Sequence, residues 1–334
     1  MRAIVKSAVG RGATLLLRRL HGSKARLLTY HGVPRGSQDN FARQCKWLKT
    51  EYHPVSMDEY VESLETGKPL PAGSIVVTFD DGLLSLYRYG VPVLREHRIP
   101  AIVYVVPAFA RGEIWLWWHV IQYAFRETRK SRLDLELDGA GRLAYTWSSV
   151  AARDKAAAEI EWRLHRRDNR KTLWWAQAIA RELDVTLPSD PPEEYAAMTW
   201  EQLKEAANEG ILVGSHTVNH TIMGTLPNPE SKRFEAAESK KQIEQAMGRP
   251  CSHFSFPNGG PNDQSQIDLD VVQEAGYQSA VSTYIGFSDA TTDPFFIPRI
   301  NAGADADNEF LRRKVAGWFL YNGTTAVPRK TDRS

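Results

Sequence analysis

The sequence predicts an α/β protein in which buried parallel strands alternate with helices. Two short, almost uninterrupted apolar runs, Ile75–Phe79 and Ala101–Val106, have the length and the β-branched content of strands buried on both faces. Helix start signals lie between such runs, and polar residues follow several runs at their C-terminal ends. This alternation is typical of a barrel or of an open parallel sheet.

The other elements follow from local patterns along the chain. The predicted strands are Arg26–Tyr30, Ile75–Phe79, Ala101–Val106, Ile211–Gly214, Phe254–Phe256, Ser279–Ser282 and Phe296–Ile300. Two capping boxes, Ser56 with Glu59 and Thr199 with Gln202, predict helix starts. Helices are expected after the first strand with Phe41, Cys45 and Leu48 on one face, from Ser56 to near Gly67, over Val91–Glu96, from Thr199 to Gly210, over Pro229–Met247 and over Ile267–Ala275.

A tryptophan-rich region between about Gly112 and Tyr195 interrupts this pattern. We expect an inserted, mostly helical subdomain there, with most of its aromatic side chains packed between helices, although indole rings also stack on sugars. The expected organisation is a basic N-terminal segment (1–25), a first part of the α/β domain (26–111), the insertion (112–196), a second part of that domain (197–320) and a tail (321–334).

Composition and charge limit the classes of protein. The 334 residues include 42 Lys+Arg and 40 Asp+Glu, a formal net charge of +2, so we expect no nucleic-acid partner. No stretch approaches the ~20 apolar residues of a transmembrane helix. The run Ala13–Leu17 is shorter than the ~7 to 15 apolar residues of a secretory signal, so we expect no cleaved signal peptide and a cytoplasmic location. The basic N-terminus predicts a frayed helix or, as the alternative, a peripheral contact with the inner membrane face.

Residues that could bind a metal follow two of the predicted strands. Asp80 and Asp81 come directly after the second strand, and His216 and His220 come after the fourth. Because the carboxyl ends of parallel strands share one face, we expect these side chains to meet. Histidines four residues apart lie on one face if the segment turns helically, and both could then bind one cation. Asp81 supplies a third ligand.

This ligand set predicts a catalytic metal, because it leaves coordination positions open for water and substrate. A divalent cation lowers the pKa of water and polarises a carbonyl group. Asp80 is then free to accept the proton of the attacking water. His-x-x-x-His occurs by chance and Asp-Asp-Gly forms turns, so the prediction of a metal-dependent hydrolase depends on finding both after apolar strands.

These motifs resemble those of the polysaccharide deacetylase family with the NodB homology domain, carbohydrate esterase family 4. The matching strings are Thr78–Gly82 (TFDDG), His216–His220 (HTVNH) and Ser255–Gly259 (SFPNG). The resemblance extends from about Leu27 to Ile300, apart from the insertion. It implies a distorted, incomplete (β/α) barrel, a divalent metal that is usually zinc, and hydrolysis of N-acetyl groups on glucosamine-type sugars.

The resemblance also implies a role for individual residues. Asp80 is the implied base, and three residues are the implied metal ligands: Asp81, His216 and His220. The backbone N–H that follows Pro257, that of Asn258, is the implied oxyanion donor.

Some positions depart from the pattern of the family. Ser255 and Asn258 stand where the third motif commonly has Arg and Tyr, and Phe296–Ile300 stands where the last motif has an acid histidine. We therefore expect His31 to protonate the leaving amine and Arg299 to orient the base. A capping or packing role for His31 and a surface ion pair for Arg299 are the alternatives.

The predicted function is metal-dependent removal of N-acetyl groups from an amino-sugar glycan, either a polysaccharide or a glycolipid precursor. The expected partner is thus an N-acetylated glycan or a lipid-linked sugar. Two alternatives stay open: an amidohydrolase of the same fold that acts on a small amide or ureide, and a glycan-binding homologue that has lost turnover. Acetate release from N-acetylglucosamine oligomers distinguishes these functions.

Overall fold

The computed structural model describes residues 12–165, 167, 169–260 and 263–321. Its strands are β1 (Arg26–Tyr30), β2 (His53–Pro54), β3 (Ser74–Phe79), β4 (Ala101–Val105), β5 (Arg132–Leu137), β6 (Gly141–Thr146), β7 (Ile211–Ser215), β8 (His253–Ser255), β9 (Ser279–Ile285) and β10 (Ile297–Asn301). Its α-helices, besides helical residues 12–20, are α1 (Gln38–Glu51), α2 (Met57–Thr66), α3 (Val91–His97), α4 (Pro107–Ala110), α5 (Trp117–Glu127), α6 (Val150–His165), α7 (Asn169–Glu182), α8 (Trp200–Asn208), α9 (Pro229–Met247), α10 (Gln266–Glu274) and α11 (Asn308–Ala316).

Seven of these strands form a closed barrel in which every hydrogen-bonded pair is parallel. The strand order is β1, β10, β9, β8, β7, β4 and β3. The barrel closes between β3 and β1, where the register runs from Arg26 opposite Ile75 to Tyr30 opposite Phe79. It has one strand fewer than a regular (β/α) barrel, and its register shifts between β9 and β10. The expected distorted, incomplete (β/α) barrel is confirmed.

The barrel strands are largely apolar because most of their residues are buried on both faces of the sheet. In β1, Leu27 belongs to a hydrophobic cluster that includes Met57 of α2. The next residue, Leu28, belongs to a second cluster that includes Phe41 of α1. Successive side chains of a strand point to opposite faces, so the two clusters lie on opposite sides of the strand.

The capping signals in the sequence correspond to helix starts in the structure. The Ser56 hydroxyl accepts a hydrogen bond from the Glu59 N–H, and the Glu59 carboxylate accepts one from the Ser56 N–H. Thr199 and Gln202 form the same reciprocal pair at the start of α8. At its other end, α9 stops at Gly248, which has a left-handed φ of 66°. These three predictions are confirmed.

The segment between β4 and β7 has a hydrophobic cluster of its own. Helices α5, α6 and α7 and the β5–β6 hairpin contribute to it, and Trp117 and Trp175 are among its buried members. The insertion is therefore mostly helical, as expected. The hairpin was not expected, although leucines alternate with polar residues over Arg132–Leu137 and glycines with a φ of 79° follow at positions 139 and 141. The exact segment boundaries stay predictions.

The described part of the chain contains no helix that is both long and apolar enough to cross a bilayer. Part of the basic N-terminal segment (residues 1–11) and most of the expected tail (322–334) lie outside the described residues. Within helical residues 12–20, Arg18 forms an ion pair with Glu51 of α1. That pair joins the described end of the basic segment to the barrel helices.

Candidate metal centre

Three buried side chains form a compact group at the carboxyl end of the barrel. Asp81 follows β3, and His216 and His220 follow β7; one ligand atom from each lies within 4.8 Å of the others. The Asp81 Oδ1 atom lies 3.6 Å from His216 Nε2 and 3.4 Å from His220 Nε2. Ligand atoms about 2.0–2.2 Å from a tetrahedral zinc ion lie roughly 3.3–3.6 Å from one another. The donor types and their spacing therefore fit a divalent cation.

The two histidines converge through an irregular turn rather than a helical one. Thr217 has a φ of 62° and His220 a φ of 58°, and Asp81 is also left-handed, with a φ of 73°. The expectation that helical spacing brings the imidazoles together is wrong. Left-handed backbone at non-glycine residues costs on the order of 1–3 kcal/mol and persists where the surroundings impose it. Three such residues therefore indicate that contacts with the surrounding structure fix the backbone geometry of this site.

The hydrogen bond of His216, the neutral form of His220 and a carboxylate oxygen of Asp81 that lacks a hydrogen-bond partner favour a bound cation. The Nδ1 atom of His216 lies 2.7 Å from the Ser255 carbonyl oxygen; with Nδ1 as the donor, Nε2 keeps a lone pair for a metal. Burial, followed by the charge of His216, lowers the pKa of His220 well below its usual range, which favours the neutral imidazole. Burial raises the pKa of Asp81, and its Oδ1 has no hydrogen-bond partner among the described residues. A cation would supply the missing partner.

Asp80 is held by a two-pronged ion pair with Arg299 of β10. The Arg299 Nη1 and Nη2 atoms donate to Asp80 Oδ1 and Oδ2 over 2.8 and 2.7 Å. Arg299 is 1% exposed and also donates to the Ser282 carbonyl and the Ser255 hydroxyl. The alternative of a surface ion pair is therefore excluded. Burial raises the pKa of Asp80, but the charge and hydrogen bonds of Arg299, together with the charges of His216 and His31, outweigh burial and hold that pKa well below its usual range.

A cavity of about 630 Å³ opens above these residues, and His31 borders it. The His31 side chain is exposed and makes no hydrogen bond to any residue in the described ranges. The capping and packing alternatives therefore have no support there. Asp80 and Asp81 line the same cavity as His31. The structure thus brings His31 to the site, and its role as an acid stays a prediction.

The third motif lines the same cavity through Asn258 but not through Pro257. Asn258 is left-handed, with a φ of 60°. Its backbone N–H donates no hydrogen bond within the described residues, and its side-chain Nδ2 lies 2.8 Å from Nδ1 of His165 in the insertion. Pro257 is buried, and its carbonyl accepts a hydrogen bond from the Gly259 N–H. Asn258 thus has a backbone donor available to a ligand, and Pro257 contributes to the turn that precedes it.

Comparison with known proteins gives a family match over part of the chain. The family model described as polysaccharide deacetylase matches residues 179–280, which contain the 216–220 turn and the third motif. Over this segment, about a third of its length, the chain is similar to the polysaccharide deacetylase family. Among solved structures, the deacetylase PplD of Streptococcus pyogenes in complex with acetate has a TM-score of 0.57 at 16% identity, over 87% of this chain and 98% of PplD. That similarity shows a shared fold.

Matches with curated relatives cover part of each protein. YxkH of Bacillus subtilis (strain 168), whose assignment as a polysaccharide deacetylase is provisional, is 30% identical over 103 residues, or 31% of this chain and 36% of YxkH. The poly-β-1,6-N-acetyl-D-glucosamine N-deacetylase of Escherichia coli (strain K12) is 42% identical over 60 residues, or 18% of this chain and 9% of that enzyme. The matched segments of this chain therefore span about a third of YxkH and under a tenth of the Escherichia coli enzyme.

Sequence reasoning missed a residue that holds the turn of the candidate metal site. Glu235 of α9 is buried and accepts hydrogen bonds from the Val218 N–H over 2.7 Å and from the Thr221 hydroxyl over 2.8 Å. These bonds tie α9 to the turn that contains the left-handed residues Thr217 and His220. The signal was an acidic residue on the helix face that also buries Ser239 and Ile243.

An insertion residue, Trp118, also contacts the candidate metal site. The sequence analysis expected most of the aromatic side chains of the insertion to pack between helices. The Trp118 ring lies 4.5 Å from the His220 ring, measured between centroids, at an interplanar angle of 65°. It covers one side of a candidate ligand and limits the rotation of that imidazole. The insertion therefore takes part in the site as well as forming a cluster of its own.

Proposed function

We propose that this protein is a divalent-metal-dependent deacetylase that removes N-acetyl groups from an amino-sugar polysaccharide. The observation that carries the proposal is the Asp81–His216–His220 group beside a base that Arg299 holds, at the floor of one cavity. The family match supports it. The activity of the Escherichia coli relative supports N-acetylglucosamine polymers as the substrate class.

In this proposal the described side chains divide the work of hydrolysis. When bound, a divalent cation, in our proposal zinc, lowers the pKa of water and polarises the acetyl carbonyl. Asp80 accepts a proton as the water oxygen adds to the carbonyl carbon, and the Asn258 N–H donates to the developing oxyanion. His31 gives a proton to the amide nitrogen as the C–N bond breaks. The products are acetate and a free amine.

The low pKa of Asp80 has two opposite effects on this chemistry. A carboxylate with a depressed pKa is a weak base. It is also fully ionised at neutral pH, and its two oxygens are fixed by Arg299. A cation held by Asp81, His216 and His220 would lower the pKa of the attacking water and so narrow the difference between the pKa of that water and the pKa of Asp80.

The two alternative functions have less support. A cavity of about 630 Å³ with tryptophans in its lining suits a sugar better than a small ureide. A binding protein without turnover would not need an Arg299–Asp80 pair and an exposed His31 beside a complete set of metal ligands.

Acetate release from N-acetylglucosamine oligomers tests the proposed function. We expect the purified, zinc-loaded protein to release acetate from β-1,6-linked oligomers. A chelator such as EDTA should abolish the reaction and added zinc should restore it. No acetate in the presence of zinc, or a rate that is unchanged after chelation, contradicts the proposal.

Replacing His31 with alanine tests the identity of the acid. We expect kcat for acetate release to fall by ~10²–10⁴-fold, because the leaving amine then departs without a positioned proton donor. Metal content should not change, since His31 is not one of the three candidate ligands. Full turnover by a variant with normal metal content would reject this role.

A further inference from the structure

Helix α6 of the insertion presents a different set of side chains on each of two faces. Ala156, Ile160 and Leu164, at four-residue spacing, are buried in the cluster of the insertion. Four other residues line the cavity of the metal site. Their positions, three or four residues apart in pairs, place them on one side of the helix: Ala158, Glu161, Trp162 and His165. One face of α6 thus packs against its own subdomain and the other forms a wall of the candidate active site.

The cavity face of α6 carries groups that suit a sugar. Trp162 is 67% exposed, which is unusual for so large an apolar side chain. Glu161 lies beside it, and Gln122 is its hydrogen-bond partner, at 3.4 Å. Burial raises the pKa of Glu161 to about 7, which indicates a carboxyl group that is poorly solvated for a cavity-lining residue. An exposed indole packs on the apolar face of a pyranose, and a carboxyl group hydrogen-bonds its hydroxyls.

The α6 wall lies in the same cavity as the metal site but comes from a different part of the chain. His165, one turn beyond Glu161, contacts Asn258 of the third motif. The wall is therefore anchored to the loop that carries the candidate oxyanion donor. A cavity of about 630 Å³ is in the range of pockets, ~300–1,000 Å³, that hold a drug-sized ligand, about the size of a disaccharide.

We infer that α6 binds the sugar unit next to the one that is deacetylated, so that the substrate is a chain of at least two amino-sugar units rather than a single sugar. Trp162 stacks on the neighbouring ring, and Glu161 hydrogen-bonds its hydroxyls. This inference rests on the proposed function and adds to it the part of the chain that binds the neighbouring sugar unit.

A comparison of two exposed tryptophans tests the inference. Trp162→Ala removes the stacking surface, and Trp174→Ala is the matched control, because Trp174 is 50% exposed on α7 of the same insertion and does not line the cavity. Each zinc-loaded protein is titrated calorimetrically with N-acetylglucosamine and with its β-1,6- and β-1,4-linked oligomers of two to five units. The Asp80→Asn background, in which we expect turnover to be ~10²–10⁴-fold slower, limits hydrolysis during the titration.

We expect Trp162→Ala to weaken binding of the preferred oligomers about tenfold and to leave binding of the single sugar unchanged. Trp174→Ala should bind all of them as its parent does. If Trp162→Ala does not fold, Glu161→Gln keeps the size of the side chain and should weaken oligomer binding about threefold.

The inference is overturned if folded Trp162→Ala and Glu161→Gln bind the oligomers as tightly as their parent does. It is also overturned if the parent binds the single sugar as tightly as the oligomers, or binds no oligomer. Failure of the proposed function looks different. In that case no acetate is released from any oligomer, whereas the titrations still report whether α6 binds one.

Discussion

Replacing Asp80 with asparagine is expected to lower kcat for acetate release by ~10²–10⁴-fold, the usual contribution of a positioned base. Asparagine has nearly the same shape, but its amide does not accept a proton at neutral pH. The Arg299 guanidinium then faces one carbonyl oxygen and one NH₂ group where it now contacts two carboxylate oxygens. The loss should therefore appear mainly in kcat rather than in KM.

The Asp80→Asn variant needs metal content as its control. Asp81, His216 and His220 keep their positions in it, so the variant should bind the same amount of zinc as the wild type. Asp190→Asn is a matched conservative change, because Asp190 is exposed, does not line the cavity of the metal site and is not among the candidate metal ligands. Turnover by Asp80→Asn within a few-fold of this control would show that Asp80 is not the base.

Replacing Arg299 with alanine is expected to destabilise the protein by ~3–5 kcal/mol and to remove activity. The variant leaves Asp80 buried without its cationic partner. It also lacks the N–H groups that donate hydrogen bonds to the Thr78 and Ser255 hydroxyls. Arg299→Lys keeps the charge but loses the two-pronged geometry, so it should recover part of the stability and little of the activity. Urea unfolding and acetate release measure the two effects separately.

The stability loss in Arg299→Ala should depend on pH with a defined sign. In the wild type the pKa of Asp80 is lowered on folding, so the pair contributes stability above the unfolded pKa of about 3.9 and loses it only as pH falls through the lower folded value. Without Arg299, burial raises the pKa of Asp80, and the folded variant favours the neutral carboxyl. Its deficit should be larger at pH 7 than at pH 5. An equal deficit at both values would contradict this account of the pair.

Much of the barrel was predictable because its signals are local. The Ile75–Phe79 run and the Ser56–Glu59 capping box describe their own segments, and the structure has a strand and a helix start there. The convergence of Asp81 with His216 also followed, because it depends only on parallel strands that end on one face. The distorted, incomplete barrel was implied by the resemblance of the motifs rather than by periodicity, and its closure with seven strands is a finding of the structure.

The features that sequence reasoning missed depend on contacts between distant segments. Glu235 of α9 accepts hydrogen bonds from the turn that contains the left-handed residues Thr217 and His220, and nothing in the 216–220 string predicts that contact. The role of the cavity-facing side of α6 was likewise not predictable. The spacing of Glu161 and Trp162 places them on one side of the helix but does not show which part of the protein that side contacts. Tertiary packing decides both.

Metal binding by the purified protein tests the central claim most directly. After removal of bound metal with a chelator, calorimetric titration with zinc should show one equivalent bound per chain. Asp81→Ala and His216→Ala should each lose that binding, and Asp80→Asn should keep it. A wild type that binds no divalent cation, or that binds it no better than Asp81→Ala and His216→Ala do, would contradict the account.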